Sequence, residues 1–352
     1  MKRKLSQLLI LVMLMSMSIT NIWAEPSYNQ GMESDIKVLD KRTIIETEIE
    51  DFDAVIIDEA DLESLLDMSS DLRVPVFIET DNYHVESIYD SLDIEDSIKK
   101  IKVSEHKDLR LKGYLVSRDS EIHIEPWFIE KGIDDELFEE DIVKKFNKIK
   151  ENPSNTSASL SEMAVLSEWP IADSYSTYIT YTEAYVGISS YLYYNPSNPV
   201  NSTYVGGQDF IVEIEPRASS TYDYSVDYFY TRIDSLNGPV TRYSPTNTYN
   251  TTSITVSKPW GVSIEFDLGG TMDVTKSSGG VGQTYTRWKF DPNNLAAYDP
   301  MYSQVFIGFE STESTLEGNV RYDITLRKTE ITTGSSSTRT VNYNTLLSGS
   351  GE

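Results

Sequence analysis

The chain has 352 residues, of which 56 are acidic and 30 are basic, and its formal net charge is −26. A charge of this sign argues against nucleic acid as a partner and against electrostatic docking on an anionic membrane surface. The sequence contains no cysteine, which excludes disulfide bonds, a lipid-modified cysteine and cysteine-based catalysis.

Basic and then apolar residues at the start of the chain predict a secretory signal. Basic residues 2–4 precede the apolar run 8–15, and Ala24 provides a small residue at a cleavage site. The apolar run is too short to span a bilayer. We therefore expect residues 1–24 to be a signal peptide and the protein to be secreted and extracellular.

Residues 37–150 combine helix and strand patterns. Short apolar strands at 54–57 and 74–78 flank a helical segment, and this spacing predicts a parallel pair of strands. An antiparallel hairpin is predicted over 111–129, and an amphipathic helix over 134–150. We expect these elements to form a small α/β domain.

Carboxylates stand at the ends of the two apolar strands. Asp58 follows the first strand, and Glu79 and Asp81 follow the second. Sheets of this class bind ligands at the carboxyl ends of their strands, and oxygen ligands suit a divalent cation. The alternative is that these residues cap helices or are solvated. No cofactor is predicted apart from this weak candidate for a cation site.

A polar linker is predicted at 151–172, and beyond it only strand patterns remain. They predict an antiparallel β-sandwich over 173–333 and a flexible tail over 334–352. Hairpin turns are expected at Asn237-Gly238 and at Gly318-Asn319. The predicted fold is therefore α+β with two domains, a small α/β N-terminal domain followed by an antiparallel β-sandwich.

The second half of the chain is rich in tyrosine and lacks histidine, so a Ser-His-Asp triad cannot form within it. Flat amphipathic side chains stack on sugars or anchor protein contacts, although tyrosine also simply favours strands. These patterns predict a non-enzymatic protein that binds an extracellular or cell-envelope ligand. The expected ligand is a glycan or a protein. The candidate ligand-binding residues are Tyr191, Tyr193, Tyr222, Tyr224, Tyr228, Tyr230, Trp260 and Trp288.

Residues 253–276 alternate between apolar and polar side chains over an unusual length. A single strand of this length would extend roughly 70 Å, far beyond an ordinary strand, so bends are expected at 259–261 and 269–270. The segment is either two successive strands of a sandwich or a hairpin able to line a membrane pore. In the second case the membrane-inserting residues would be Ile254, Val256, Trp260, Val262, Ile264, Phe266 and Leu268.

Together with the alternating strand at 319–328, this segment resembles the leukocidin/hemolysin-type β-barrel pore-forming toxins over residues 251–330. The resemblance implies a secreted, cysteine-poor β-sandwich that keeps an amphipathic stem folded until it oligomerises on a membrane. The preceding α/β domain is not a part of that family. The residues with which the family's rim binds lipid have no match in this sequence. The alternative function is therefore a pore-forming toxin-like protein that inserts residues 253–276, with a membrane as its partner.

A third possibility is a secreted hydrolase that depends on carboxylates. Glycoside hydrolysis needs two acidic side chains at a set separation, and the sandwich offers many pairs without selecting one. The residues considered are Glu183, Glu213, Glu215, Glu265 and Asp267.

Overall fold

The computed structural model describes residues 38–40, 54–61, 74–82, 106–118, 122–151, 169–293 and 300–351. All of them belong to one compact unit. The predicted signal peptide and nearly all of the predicted linker lie outside these ranges. Within the described ranges, no helix is both long enough and apolar enough to cross a bilayer.

The larger of two sheets has ten strands in the order β1–β2–β3–β4–β5–β6–β7–β8–β14–β10. Neighbouring strands are antiparallel except for three parallel pairs, β1 with β2, β2 with β3, and β5 with β6. The strands are β1 (Val38–Asp40), β2 (Ala54–Asp58), β3 (Val76–Glu79), β4 (Leu109–Arg118), β5 (Ile122–Glu130), β6 (Ile171–Thr180), β7 (Ala184–Tyr194), β8 (Tyr204–Pro216), β10 (Val240–Ser244) and β14 (Met301–Ser311).

The smaller sheet has six strands in the order β11–β12–β13–β9–β15–β16, and all its pairs are antiparallel. Its strands are β9 (Tyr222–Ser235), β11 (Thr248–Ser257), β12 (Ser263–Gly279), β13 (Tyr285–Pro292), β15 (Thr315–Glu330) and β16 (Ser336–Ser350). Buried side chains from both sheets form one hydrophobic core, so the two sheets make a β-sandwich.

Helix α1 (Asp135–Glu151) covers the other face of the ten-stranded sheet. Phe138, Ile142 and Phe146 are four residues apart and form its buried apolar stripe. The Phe138 ring lies 5.0 Å from the Phe77 ring and 5.7 Å from the Trp127 ring, measured between centroids. The described fold is thus mostly β, with two sheets and one helix in three layers.

A separate α/β N-terminal domain is not supported. The parallel pair β2–β3, the hairpin β4–β5 and the helix are present as predicted. However, β5 pairs in parallel with β6, with Trp127 opposite Tyr178, so β5–α1–β6 crosses the expected domain boundary. The two-residue periodicity of a sequence indicates which residues form a strand. It does not indicate which distant strand pairs with the free backbone N–H and C=O groups along the edge of β5.

The two predicted hairpin turns are also wrong. Asn237 and Gly238 connect β9 to β10, which belong to different sheets. Gly318 and Asn319 lie inside β15. A Cβ at position 318 would come within 1.8 Å of the Gln208 side-chain oxygen and would force that side chain to shift, so the glycine serves close packing here rather than a turn.

The tail that was expected to be flexible forms β16, which pairs with β15 along its whole length. Val341, Tyr343, Thr345 and Leu347 point inward and are buried, whereas Asn342, Asn344 and Leu346 between them are exposed. Arg339 adds ion pairs to Glu130 and Glu183. Serine, threonine and glycine in this segment resemble a disordered tail in composition, but two-residue periodicity and a long partner strand fix it in the sheet.

Candidate functional site

The alternating segment forms a hairpin of β11 and β12. Val256 lies opposite Ile264 and Ser257 opposite Ser263, and the turn between the strands is closed by a 2.8 Å hydrogen bond from the Lys258 amide to the Val262 carbonyl. The first predicted bend, at 259–261, is therefore confirmed as the hairpin turn. Residues 257–262 are called the hairpin tip below.

The second predicted bend is a bulge within β12. Ser253 pairs with Asp267 but Thr251 pairs with Met272, so the β12 strand carries extra residues at this point. Gly269 adopts a φ of 76°, which favours glycine, and its amide donates a 2.8 Å hydrogen bond to the Asp267 carboxylate.

The hairpin has one apolar face and one polar face, as its alternation predicts. The apolar face points into the core of the sandwich. Ile254, Val256 and Leu268 are buried, whereas Val262, Ile264, Phe266 and Trp260 are half-buried. The opposite face is exposed and consists of Thr255, Ser257, Ser263, Glu265 and Asp267. Since β11 is the edge strand of its sheet, the hairpin has a sheet neighbour only on the β13 side.

The hairpin tip rests on a row of residues that crosses the ten-stranded sheet. Tyr191, Asp209, Phe306 and Ser244 are successive cross-strand partners on β7, β8, β14 and β10. The Ser244 hydroxyl accepts a 3.0 Å hydrogen bond from the Ser257 amide. The end of β11 is thereby joined to the opposite sheet.

A buried ion pair lies at the same place. The Lys258 ammonium contacts the Asp209 carboxylate, and each side chain is only 1% exposed. The ammonium also lies 4.9 Å from the centre of the Phe306 ring. Burial lowers the pKa of Lys258, although the negative charge of Asp209 opposes that shift.

Aromatic rings surround this pair. The Trp260 ring lies 5.3 Å from the Tyr193 ring, 6.0 Å from the Phe306 ring and 5.4 Å from the Trp169 ring. Burial, followed by the nearby charge of Asp209, raises the pKa of Tyr193 well above its usual value. The Lys258 side chain is therefore surrounded largely by aromatic rings, whereas the rest of the hairpin tip is half-buried or exposed.

Sequence analysis did not identify this pair. Lys258 interrupts the apolar alternation at an inward position, and a lysine at such a position needs a buried carboxylate as its partner. The sequence does not show which acid supplies it, because Asp209 lies 49 residues away on the other sheet.

Four of the eight predicted ligand-binding aromatic residues are buried. Tyr191, Tyr193, Tyr224 and Trp288 are each at most 9% exposed and pack in the interior. These four rings pack in the interior and offer no free face to a ligand in this form of the protein, and their role in binding stays a prediction. Tyrosine has a large apolar ring and a single hydroxyl group, so its side chain can be accommodated in the interior of a sandwich as well as on its surface.

The half-exposed tyrosines carry cations on their rings. Lys328 lies 3.7 Å from the centre of the Tyr222 ring, and Lys289 lies 4.8 Å from that of Tyr228. A third cation, the Arg287 guanidinium, lies 3.7 Å from the Tyr230 ring. These side chains cover the rings that were predicted to stack on a ligand.

The acidic residues considered for metal binding do not converge on one point. Asp58 and Glu79 are cross-strand partners, and Glu79 contacts Lys112 at 3.0 Å. Asp81 is exposed. In the part of the chain that the structure describes, no group of three or more histidine, aspartate or glutamate side chains is arranged to hold a metal ion. A divalent cation there remains a prediction.

Most of the carboxylates considered for hydrolysis have basic partners. Glu213 and Glu215 both contact Lys148 of α1, and Glu183 contacts Arg339. Glu265 accepts a 2.7 Å hydrogen bond from the Ser253 hydroxyl on the outer face of the hairpin. The paired carboxylates fasten elements of the fold to one another, which is a structural role.

The fold and the hairpin define a β-sandwich that carries a folded amphipathic hairpin at one sheet edge. No family model matches the sequence, and no curated protein matches it either. Among solved structures, a protein described as a pore-forming protein is similar over 50% of this chain and 90% of its own, with 7% identity and a TM-score of 0.35.

Two clostridial toxins are also similar. Clostridium perfringens delta-toxin matches 70% of this chain and 95% of its own, with 6% identity and a TM-score of 0.35. The C. perfringens NetB toxin in its membrane-inserted form matches 51% of this chain and 95% of its own, with 7% identity and a TM-score of 0.27. The chain thus bears a faint resemblance to pore-forming toxins, and at these scores its function has to be argued from its own residues.

Proposed function

We propose that this protein is secreted and forms pores by inserting the β11–β12 hairpin into a membrane. The observation that carries the proposal is the division of the hairpin into an apolar and a polar face. A membrane strand needs about 9–11 residues with apolar side chains toward lipid and polar ones toward the lumen. β11 has 10 residues and β12 has 17, so both strands are long enough.

The folded position of the hairpin is consistent with release. Its apolar face is turned toward the core, with Ile254, Val256 and Leu268 buried and the residues nearer the tip half-buried, so the protein limits its exposed apolar surface before it meets a membrane. The strand β11 lies at a sheet edge, so the hairpin can leave by breaking its pairing with β13 and its contacts to the opposite sheet. A closed barrel of such hairpins from several copies would satisfy all backbone hydrogen bonds within lipid.

The matched pair Ile264→Asp and Ser263→Asp tests this proposal. The two residues are neighbours on β12 but lie on opposite faces of the hairpin. We expect Ile264→Asp to lower dye release from liposomes by about tenfold or more, because a carboxylate would face lipid. Ser263→Asp would face the lumen and should release dye at the wild-type rate.

Thermal unfolding of both variants controls for damage to the soluble fold. Equal dye release by the two variants, or no release by the wild-type protein from liposomes or red cells, would refute insertion of this hairpin.

The exposed acids of the hairpin predict the ion selectivity of the pore. Glu265 and Asp267 lie on the polar face and would place rings of negative charge in the lumen. We expect cation selectivity in planar bilayers, and a reversal potential of opposite sign for the Glu265→Lys/Asp267→Lys variant. Glu310→Lys/Glu313→Lys changes net charge equally at exposed positions outside the hairpin and should keep the wild-type sign.

Ligand binding through the outer face of the six-stranded sheet is the second candidate function. The half-exposed rings of Tyr228 and Tyr230 favour it, but each already carries a lysine or arginine. A glycan array with Tyr228→Ala/Tyr230→Ala addresses this role, and specific binding that this variant loses would support it.

A further inference from the structure

We propose that the buried Lys258–Asp209 ion pair controls release of the hairpin, so that the loss of one partner, which leaves the other charge buried and unpaired, sets the hairpin free. This inference rests on the proposed function for its biological meaning, but the contact itself is a property of the soluble protein. Lys258 lies at the hairpin tip, and Asp209 lies on β8 of the opposite sheet. The pair is thus a direct link between the moving part and the part that stays.

Because of its position, the ion pair has a large effect on whether the hairpin tip is released from the opposite sheet. The row that receives the tip makes few polar contacts with the hairpin: this ion pair, the hydrogen bond from the Ser257 amide to Ser244, and a 3.2 Å hydrogen bond from the Ser244 hydroxyl to the Thr255 carbonyl. The other contacts are aromatic and apolar, such as the rings of Phe306 and Tyr193 around Trp260. Apolar contacts are not directional, and a lipid environment can replace them, whereas a buried charge pair has no equivalent substitute in lipid.

A buried pair also makes closure all-or-none. Separating the two side chains inside the pocket would leave each charge without compensation in a poorly polar environment, which is strongly unfavourable. The favourable alternatives are the fully closed tip and the fully released tip, in which water hydrates Lys258 and Asp209. We infer that the tip opens as a unit, and that release begins at the tip rather than at the far end of the hairpin near the bulge.

The pair is distinguishable from an ordinary stabilising contact by double substitution. Asp209→Asn or Lys258→Met removes one charge and leaves the other buried. The combination Lys258→Met/Asp209→Leu removes both charges and fills the pocket with apolar atoms of similar volume. Such replacements of buried pairs are often neutral or stabilising. The double variant should therefore close as tightly as the wild type or more tightly.

Hydrogen–deuterium exchange without lipid measures this directly. We expect Asp209→Asn and Lys258→Met to raise the exchange rates of β11 and β12 amides by about 100-fold or more, while amides of the β15–β16 hairpin remain within a few-fold of wild type. The double variant should return β11–β12 exchange to within about tenfold of the wild-type rate. Asp209→Glu, which keeps the charge and shifts the carboxylate, should fall between these limits and serves if a single neutral variant does not fold.

The proposal would be overturned if the single variants left the amide exchange rates of β11 and β12 unchanged. It would also be overturned if the amide exchange rates of β15 and β16 rose equally, since the ion pair would then have no specific effect on the β11–β12 hairpin. A double variant as open as the single variants would overturn it as well. Dye release is measured separately on the same proteins. If the exchange rates change as expected but no dye is released, the result contradicts pore formation and still supports the role of the ion pair in closing the hairpin.

Discussion

The variant Ser244→Cys/Ser257→Cys is expected to release no dye from liposomes until a reducing agent is added. The Ser257 amide lies 3.0 Å from the Ser244 hydroxyl oxygen, so the two backbones approach closely at this point, and a count of free thiols after oxidation establishes that the disulfide has formed. The bond would join the hairpin tip to β10 of the other sheet. If insertion requires the hairpin to leave the sandwich, the oxidised protein cannot insert, and reduction should restore the wild-type rate of release.

The absence of native cysteine makes this experiment unambiguous, because the two introduced thiols have no other partner within the chain. Ser257→Cys/Ser263→Cys is the matched control. These two residues face each other within the hairpin, and their hydroxyl oxygens lie 3.0 Å apart. A disulfide there would move with the hairpin and should leave dye release intact. Release by the oxidised 244/257 variant would show that the hairpin does not need to detach.

A second large effect is expected for Arg217→Ala, which should lower the free energy of unfolding by about 3–5 kcal/mol. Arg217 follows β8, and its two terminal guanidinium nitrogens both donate to Asp141 of α1, one of them at 2.7 Å. Both residues are buried, and Asp141 also accepts a 2.8 Å hydrogen bond from Thr180. Removing the arginine leaves a buried carboxylate without its counter-charge beneath the helix.

The ion pair of the exposed Arg321 with the half-buried Asp323, which also contacts Arg287, provides the control for burial. Arg321 is 48% exposed, so Arg321→Ala should cost no more than about 1 kcal/mol. Chemical denaturation of both variants, compared with wild type, gives the difference. Equal effects at the two sites would mean that burial does not set the strength of these ion pairs. The test also asks whether α1 is an integral layer of the sandwich or a separable addition.

Local sequence patterns were sufficient for many individual elements. The alternation in 253–276 predicted both strands of the hairpin, its two faces and both bends, because side-chain periodicity and glycine conformation act within a few residues. The β2–β3 pair and helix α1 were equally readable from short apolar runs and a four-residue apolar spacing. The resemblance to pore-forming toxins rests on this same pattern.

Composition was a poorer guide to boundaries and surfaces. The Ser/Thr/Gly-rich segment after residue 333 was expected to be flexible, yet it pairs as β16 with β15. Tyrosines were expected to form a binding surface, yet Tyr193 and Trp288 are fully buried. In each case the decisive quantity is the partner across a sheet or between sheets, and composition carries no information about that partner.

The sequence by itself determined an acidic, cysteine-free chain with a long amphipathic segment able to form two strands. Only the tertiary structure decided that β5 joins β6 across the expected domain boundary, and that the apolar face of the hairpin lies folded in the sandwich. It also decided that Lys258 meets Asp209 there. The physical reason is that strand pairing and buried charge compensation join residues far apart in the chain, and which partners meet depends on the packing of both sheets together.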